Sequence, residues 1–357
     1  MSPKNPIYFN TPSVGLMSKN ISQQVFTFSQ KLAEDAAGTA EKFQMEEIPQ
    51  LRKLLSSYLD AAENEIALIP NSSFGLSTLI PSLKAKSRVL LFSSDYPSLN
   101  DPFKINDFEV FYLENPYEFE IPLEVIKAQL IQHEIEILAI SHVQFLSGYK
   151  IDIIALGEIC KSLNVKLIVD ATQSLGSEIF SFKKSNIDVL ILSNYKWMNA
   201  GFGSGLMCIK EEFLQNHLPK LGGFNSYRKN EKGVLAYAPS IHSYEPGHFN
   251  LAGLLAIKLE LIHKMDLNPI NIQKENLEKV KYFKSNLNNS NIELIGRDFK
   301  AENQSSIMFF KSNELLRNHL LNHQILVNTR WENIRFGFHY YNSYTEIDYL
   351  LEVVNRF

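Results

Sequence analysis

The sequence predicts an α/β fold built on a mostly parallel sheet, followed by a smaller α+β domain. Two observations carry the first part. Between residues 66 and 169, apolar segments that read as strands alternate with segments that read as helices, as in a parallel sheet covered on both faces. Residues 167–169 and 189–192 are apolar at consecutive positions, the pattern of strands with no wet face. The second part rests on a change after Leu251, where two long helical patterns precede several short strands.

Taken in order, residues 1–30 read as irregular, because Pro3, Pro6, Pro12 and Gly15 interrupt any long element. A helical pattern covers about 46–59, with Ile48, Leu51, Leu54, Leu55 and Tyr58 at helical spacing. Strand 66–69, a helix from Ser73, and strands 89–92 and 108–112 follow. Next come a helix opened by Pro122, strand 137–140, a helix opened by Asp152, and strand 166–169. The tail offers helices at about 251–265 and 270–287, strands at 292–295, 306–310, 325–327 and 334–336, and a last helix from Tyr344. The expected division is a large domain over 15–250 and a small one made by 1–14 with 251–357.

Composition narrows the class. A net charge of -4 over 357 residues offers no broad basic field, so nucleic acid is not an expected partner. The first residues lack a signal-peptide pattern, and no apolar run approaches the ~18 residues of a membrane span. A soluble, cytoplasmic protein with no membrane partner is expected. Cys160 lies in a helical pattern and Cys208 in an apolar strand, so both read as buried structural thiols. No H-E-x-x-H occurs among the nine histidines, no zinc pattern is present, and G203-S204-G205 is not a nucleophile elbow.

The chemistry concentrates between Val165 and Trp197. The first apolar run ends in Asp170 and the second leads to Lys196, which places an acid and an amine at the carboxyl ends of central strands, where open α/β sheets bind ligands. An imine-forming Lys with an Asp that keeps a pyridine nitrogen protonated is the protein's half of pyridoxal 5'-phosphate chemistry. Desolvation and a nearby cofactor cation would lower the pKa of such a Lys and keep part of it neutral. The turn P-N-S-S-F-G follows a strand and opens a helix, so Ser72 and Ser73 either bind phosphate at the helix N-terminus or merely cap it. Tyr96 lies past strand 89–92, where an aromatic either stacks on a ring or packs. Gln173 is within reach of the cofactor's phenolic oxygen, and Ser193 and Tyr195 offer further phosphate hydroxyls. Arg335, in a strand, suits two-point grip of an α-carboxylate or a plain salt bridge.

These blocks, V-D-A-T-Q-S-L-G, S-N-Y-K-W and the preceding S-H-V-Q-F-L-S-G-Y-K-I-D, resemble the class V aminotransferase family from Tyr8 to beyond Tyr341. That family includes cysteine desulfurases, selenocysteine lyases, kynureninases and an isopenicillin N epimerase. The resemblance implies a fold-type I pyridoxal phosphate enzyme, with a mostly parallel seven-stranded sheet, acting as a homodimer. It implies Lys196 as the Schiff-base residue, Asp170 at the pyridine nitrogen, Gln173 at the phenolic oxygen and Tyr96 over the ring. Ser72, Ser73, Ser193 and Tyr195 would hold the phosphate, and Arg335 the carboxylate of a small amino acid. Two positions depart from the pattern: Asn71 stands where relatives often have Gly, and His248 stands where a Thr reaches the neighbouring subunit's phosphate. Transamination is the expected reaction, with elimination, hydrolysis or epimerisation as alternatives and a non-catalytic cofactor-binding protein as the reading outside enzymes. Cysteine desulfuration through a protein persulfide is not expected, since no Cys follows Cys208.

Overall fold

A computed structural model describes residues 5–114, 117–311 and 314–357. Pro3 and the rest of residues 1–4 of the expected small domain lie outside them. The larger sheet has seven strands in the order Ile66–Ile69, Gly205–Ile209, Val189–Ser193, Lys166–Asp170, Ile137–Ser141, Arg88–Leu91 and Glu109–Tyr112. All neighbours run parallel except Gly205–Ile209, which is antiparallel to both of its partners.

Consecutive side chains of these strands enter two different cores, which is why the strands read as unbroken apolar runs. Leu138, Ile140, Leu167, Val169, Leu190 and Leu192 pack on one side with Leu55, Leu156 and Ile257 from covering helices. Ala139, Ile168, Val189 and Ile191 pack on the other with Leu76, Leu79, Leu99 and Phe103. The second side is covered by helices Ser72–Leu79 and Pro97–Ile105.

The smaller sheet is antiparallel, in the order Glu293–Ile295, Ile307–Lys311, Asn333–Gly337 and Asn328–Arg330. One face buries Met308, Phe310, Ile334 and Phe336 against Val280, Phe283, Ile347 and Leu350 of its own helices. The opposite face turns toward the loops above the larger sheet, where Phe309 and Ile295 meet Phe145 and Leu146. The N-terminal segment is stitched to this unit: Ile7–Tyr8 pairs with Ile325–Leu326, and Gly337 N donates to Phe9 O at 2.9 Å.

One expectation fails. The first thirty residues are not irregular throughout, because helix Lys19–Glu34 begins four residues past Gly15. Ser18 caps it, its hydroxyl accepting from Ile21 N at 3.2 Å. Ile21, Val25, Phe28 and Leu32 form its inward stripe, with Val25 and Phe28 packed on the main core; the four breakers at Pro3, Pro6, Pro12 and Gly15 all precede the helix and do not bear on it. The expected strand at 325–327 is Ile325–Leu326, and a further short strand, Asn328–Arg330, follows it in a different sheet.

Candidate active site

Ser141, Asp170 and Ser193 end three adjacent strands of the larger sheet. In each strand the residue two places earlier, Ala139, Ile168 or Ile191, packs toward helices Ser72–Leu79 and Pro97–Ile105. The period of two therefore aims all three polar residues toward that same side. Parallel strands leave their carboxyl ends open for a ligand.

Lys196 stands in the turn that follows Ser193. Other backbone presses on this turn at two glycines. A Cβ on Gly15 would lie 1.9 Å from Lys196 O, and one on Gly176, at φ +98, would lie 2.4 Å from Trp197 O. Gly15 N donates to Tyr195 O at 2.8 Å, and Asn199 N closes the turn on Lys196 O at 3.1 Å. The Lys196 side chain is thereby held in a narrow cleft with Ser72, Tyr96, Asp170, Gln173 and Tyr195. It is 6% exposed. Its Nζ lies 5.4 Å from the Tyr96 ring centre and 5.6 Å from that of Tyr195. Burial lowers this amine to about 7; the Arg335 and Arg330 charges add to the shift and Asp170 opposes it.

Asp170 is buried, and burial raises its pKa against the opposing pull of Thr172 and Lys196. Thr172 N donates to Asp170 Oδ1 at 2.7 Å, and Thr172 Oγ1 accepts from Ser193 N at 3.1 Å. At the other end of the cleft, Ser72 N donates to Ser193 Oγ at 2.9 Å, and the two hydroxyls stand 3.0 Å apart. Asn71 caps this helix by accepting from Phe74 N at 2.9 Å. Ser73 sits exposed in the same first turn and is not part of the cleft wall.

Gln173 Nε2 donates to Pro12 O at 2.9 Å, while its Oε1 accepts from Trp197 Nε1 at 2.9 Å. Arg335 comes from the smaller sheet and is 1% exposed. It donates from Nη1 to Phe145 O at 2.6 Å and from Nη2 to Ser13 Oγ at 3.0 Å and Pro12 O at 3.2 Å. Its Nε is buried without a partner, and among the described residues no carboxylate pairs with it. A buried charge left without a counter-ion is costly. His248 is exposed and outside the cleft, beside Phe224 at 5.1 Å between ring centres.

Four contributors escaped the sequence reading: Ser141, Phe145, Thr172 and Asp95. The first three line the cleft. Asp95 lies behind it, accepting from Tyr96 N at 2.7 Å, Ser141 Oγ at 2.6 Å and Ser141 N at 2.8 Å. Burial raises its pKa. An acid directly before the strand-end aromatic was the available signal.

The donor set matches pyridoxal phosphate group by group. Lys196 would offer an amine for the aldehyde, Asp170 a carboxylate for the ring nitrogen, and Ser72 with Ser193 a helix-terminal hydroxyl cradle for the phosphate. A family model described as "Aminotransferase class-V" matches residues 8–350. A probable cysteine desulfurase of Borreliella burgdorferi is 23% identical, covering 96% of this chain and 89% of its own. Kynureninase of Geobacillus thermodenitrificans is 24% identical over 79% of this chain and 70% of its own. Among solved structures, a cystine C–S lyase in complex with cysteine persulfide superposes with a TM-score of 0.87 at 18% identity, covering 99% of this chain and 98% of that one. Another structure of that lyase, with glycine covalently linked to its pyridoxal phosphate cofactor, gives a TM-score of 0.88 at 17% identity, covering 99% and 97%.

Proposed function

The chain belongs to the class V aminotransferase family of pyridoxal 5'-phosphate enzymes, and from that premise we propose that it cleaves a bond at Cβ of a small amino acid. The observation that carries this reading is the juxtaposition of buried Lys196 and Asp170 with Arg335, a buried guanidinium that no acid among the described residues neutralises. Transamination is the reading the residues favour by themselves. The cystine C–S lyase and the desulfurase among its relatives shift the choice toward side-chain cleavage.

When bound, pyridoxal phosphate condenses through its aldehyde with amines and accepts the electron pair released at Cα. The protein's part is positional and protonic. Arg335 grips the substrate carboxylate, turning its unpartnered Nε toward the incoming anion. Lys196, half neutral near pH 7, removes the proton at Cα and returns it where the leaving group departs. Asp170, held by Thr172 N, keeps the ring nitrogen protonated. Ser72 and Ser193 orient the phosphate, Tyr96 covers the ring, and Gln173 uses its remaining N–H on the phenolic oxygen. Tyr195 closes the cleft beside Lys196, and Ser73 adds a hydroxyl at the phosphate's outer side.

Cys160 and Cys208 are buried in the core below the sheet, so the departing group leaves free rather than as a protein persulfide. A homodimer completes the proposal, with each exposed His248 donating to the phosphate of the second subunit. The test is an amino-acid panel with no 2-oxo acid added. Steady release of ammonia with a 2-oxo acid, or of alanine, supports cleavage at Cβ. Turnover that starts only on addition of a 2-oxo acid acceptor establishes transamination instead, and cofactor binding with no turnover on any amino acid establishes a binding protein.

A further inference from the structure

Arg335 is not the only guanidinium on its side of the smaller sheet. Strands Asn328–Arg330 and Asn333–Gly337 form a hairpin with Asn328 opposite Arg335, Thr329 opposite Ile334 and Arg330 opposite Asn333. Opposed residues of an antiparallel pair share a face, and so do residues two apart. Arg330 and Arg335 therefore lie on one face, and Thr329, Ile334 and Phe336 on the other. The second face is the apolar one, with Ile334 and Phe336 buried against the unit's own helices. The arginine face is the one turned to the cleft, since Arg335 reaches Phe145 O and Phe145 lines the wall beside Lys196.

The hairpin is held in that orientation. Trp331 and Glu332 both have positive φ, 46 and 69, as a tight two-residue hairpin turn requires. The Trp331 ring meets Phe145 edge-on at 6.1 Å between centres. Arg330 is half-buried. It donates from Nη1 to Asn328 Oδ1 at 2.6 Å and to Thr329 O at 3.1 Å. Among the described residues no carboxylate pairs with it, and its charge is felt at Lys196, Tyr195 and Arg335. Two guanidiniums and an amine thus converge with Asp170 as the one acid acting on Lys196. One α-carboxylate answers Arg335. Among the described residues no acid neutralises Arg330, and an uncompensated second cation beside a buried one is unfavourable until an anion arrives.

We propose that Arg330 recognises a second anion on the substrate, so that the enzyme takes amino acids whose side chain ends in a carboxylate or a sulfur oxyanion in preference to neutral ones. This assignment rests on the amino-acid reading of the same cleft. Two measurements test it on the holoenzyme. The first is calorimetric binding of succinate against butyrate, which needs no turnover. Succinate is expected to bind about ten-fold or more tightly, as a charge-assisted hydrogen bond allows. Arg330→Gln should erase that difference, while Arg330→Lys should keep part of it. The second is kcat/KM for aspartate, glutamate and cysteine sulfinate against alanine, serine and cysteine, where Arg330→Gln should bring the ratio of acidic to neutral substrates toward one. Equal binding of succinate and butyrate, or equal loss on both substrate groups in Arg330→Gln, overturns the proposal. Failure of the underlying reading shows separately, as a protein that takes up no pyridoxal phosphate, and the substrate assignment then falls with it.

Discussion

Lys196 and Lys264 are both buried amines whose pKa burial lowers, yet their surroundings differ in kind. Lys264 donates to Asn199 Oδ1 at 2.8 Å, lies 3.3 Å from His339 Nε2, and sits over the Tyr340 ring at 4.7 Å. Glu260, one helical turn earlier, opposes its shift. The Lys196 Nζ makes no hydrogen bond among the described residues and lies in the cleft with Tyr96, Asp170 and Tyr195. A lowered pKa by itself therefore does not mark a catalytic lysine. What marks Lys196 is the lowered pKa together with unmet bonding capacity. The two are also linked, since Asn199 closes the Lys196 turn and His339 Nε2 lies 3.1 Å from Trp197 O.

The largest expected effect breaks or upholds that contrast directly. Borohydride treatment of the cofactor-loaded protein should label Lys196 and leave Lys264 untouched, read by peptide mass. Lys196→Ala should abolish the label and lower kcat by about 100- to 10,000-fold, the range for losing a positioned proton-transfer group. The pH dependence has a defined sign. Below about 7 the Lys196 amine is protonated and unreactive; above it the amine is neutral. The rate of cofactor uptake into the covalent form should rise as pH passes through that region. A label on Lys264, or a rate flat across it, would remove the distinction.

Arg335→Ala comes next. It deletes the carboxylate grip, and loss of one partner in a buried charge pair costs about 2–5 kcal/mol, seen as a raised KM for amino acids. Because the Arg335 charge helps to lower the Lys196 pKa, the same variant should shift the midpoint of cofactor uptake to higher pH. An unaltered KM would transfer the carboxylate to Arg330.

Much of this contrast was legible in the sequence, and the rest was not for identifiable reasons. Asp170 and Lys196 stand at the ends of apolar runs, so composition and order along the chain find them. The sheet is legible for the same reason. Two clamps on the Lys196 turn are invisible locally: Gly15 and His339 come from segments more than 140 residues away. Helix Lys19–Glu34 was legible too, in Ile21, Val25, Phe28 and Leu32 at helical spacing, but the prolines before it drew the reading toward irregular structure. Asp95 reads as an ordinary turn acid until Ser141 arrives from another strand.

Lys264→Met should leave the cofactor site chemically intact while unfolding more easily. It removes the Lys264 donor from Asn199 Oδ1 and the charge that opposes the burial-raised pKa of Glu260, a defect of about 1–3 kcal/mol. Chemical denaturation measures it, and adding Glu260→Gln should recover part of the loss. A Lys264→Met protein with full stability but no covalent cofactor would give Lys264 the role assigned to Lys196.

The smallest effect is expected at the cysteines, and it sharpens the comparison of the two amines. Desolvation disfavours whichever form carries charge. For an amine that form is the unreactive one, so burial makes Lys196 a better nucleophile at neutral pH. For a thiol it is the reactive thiolate, so the same burial silences it. Burial pushes Cys160 up to about 12 and Cys208 higher still. Both pack among Leu and Ile in the core below the sheet, away from the residues lining the Lys196 cleft. The native protein should therefore resist thiol reagents that titrate both cysteines once it is denatured. Cys160→Ala and Cys208→Ala should each keep kcat/KM within about two-fold, with a stability loss near the ~0.8 kcal/mol of one buried methylene-sized group. A persulfide trapped on either cysteine during turnover, or a collapse of activity in either variant at retained fold, would show that a buried thiol in this protein is chemically available after all.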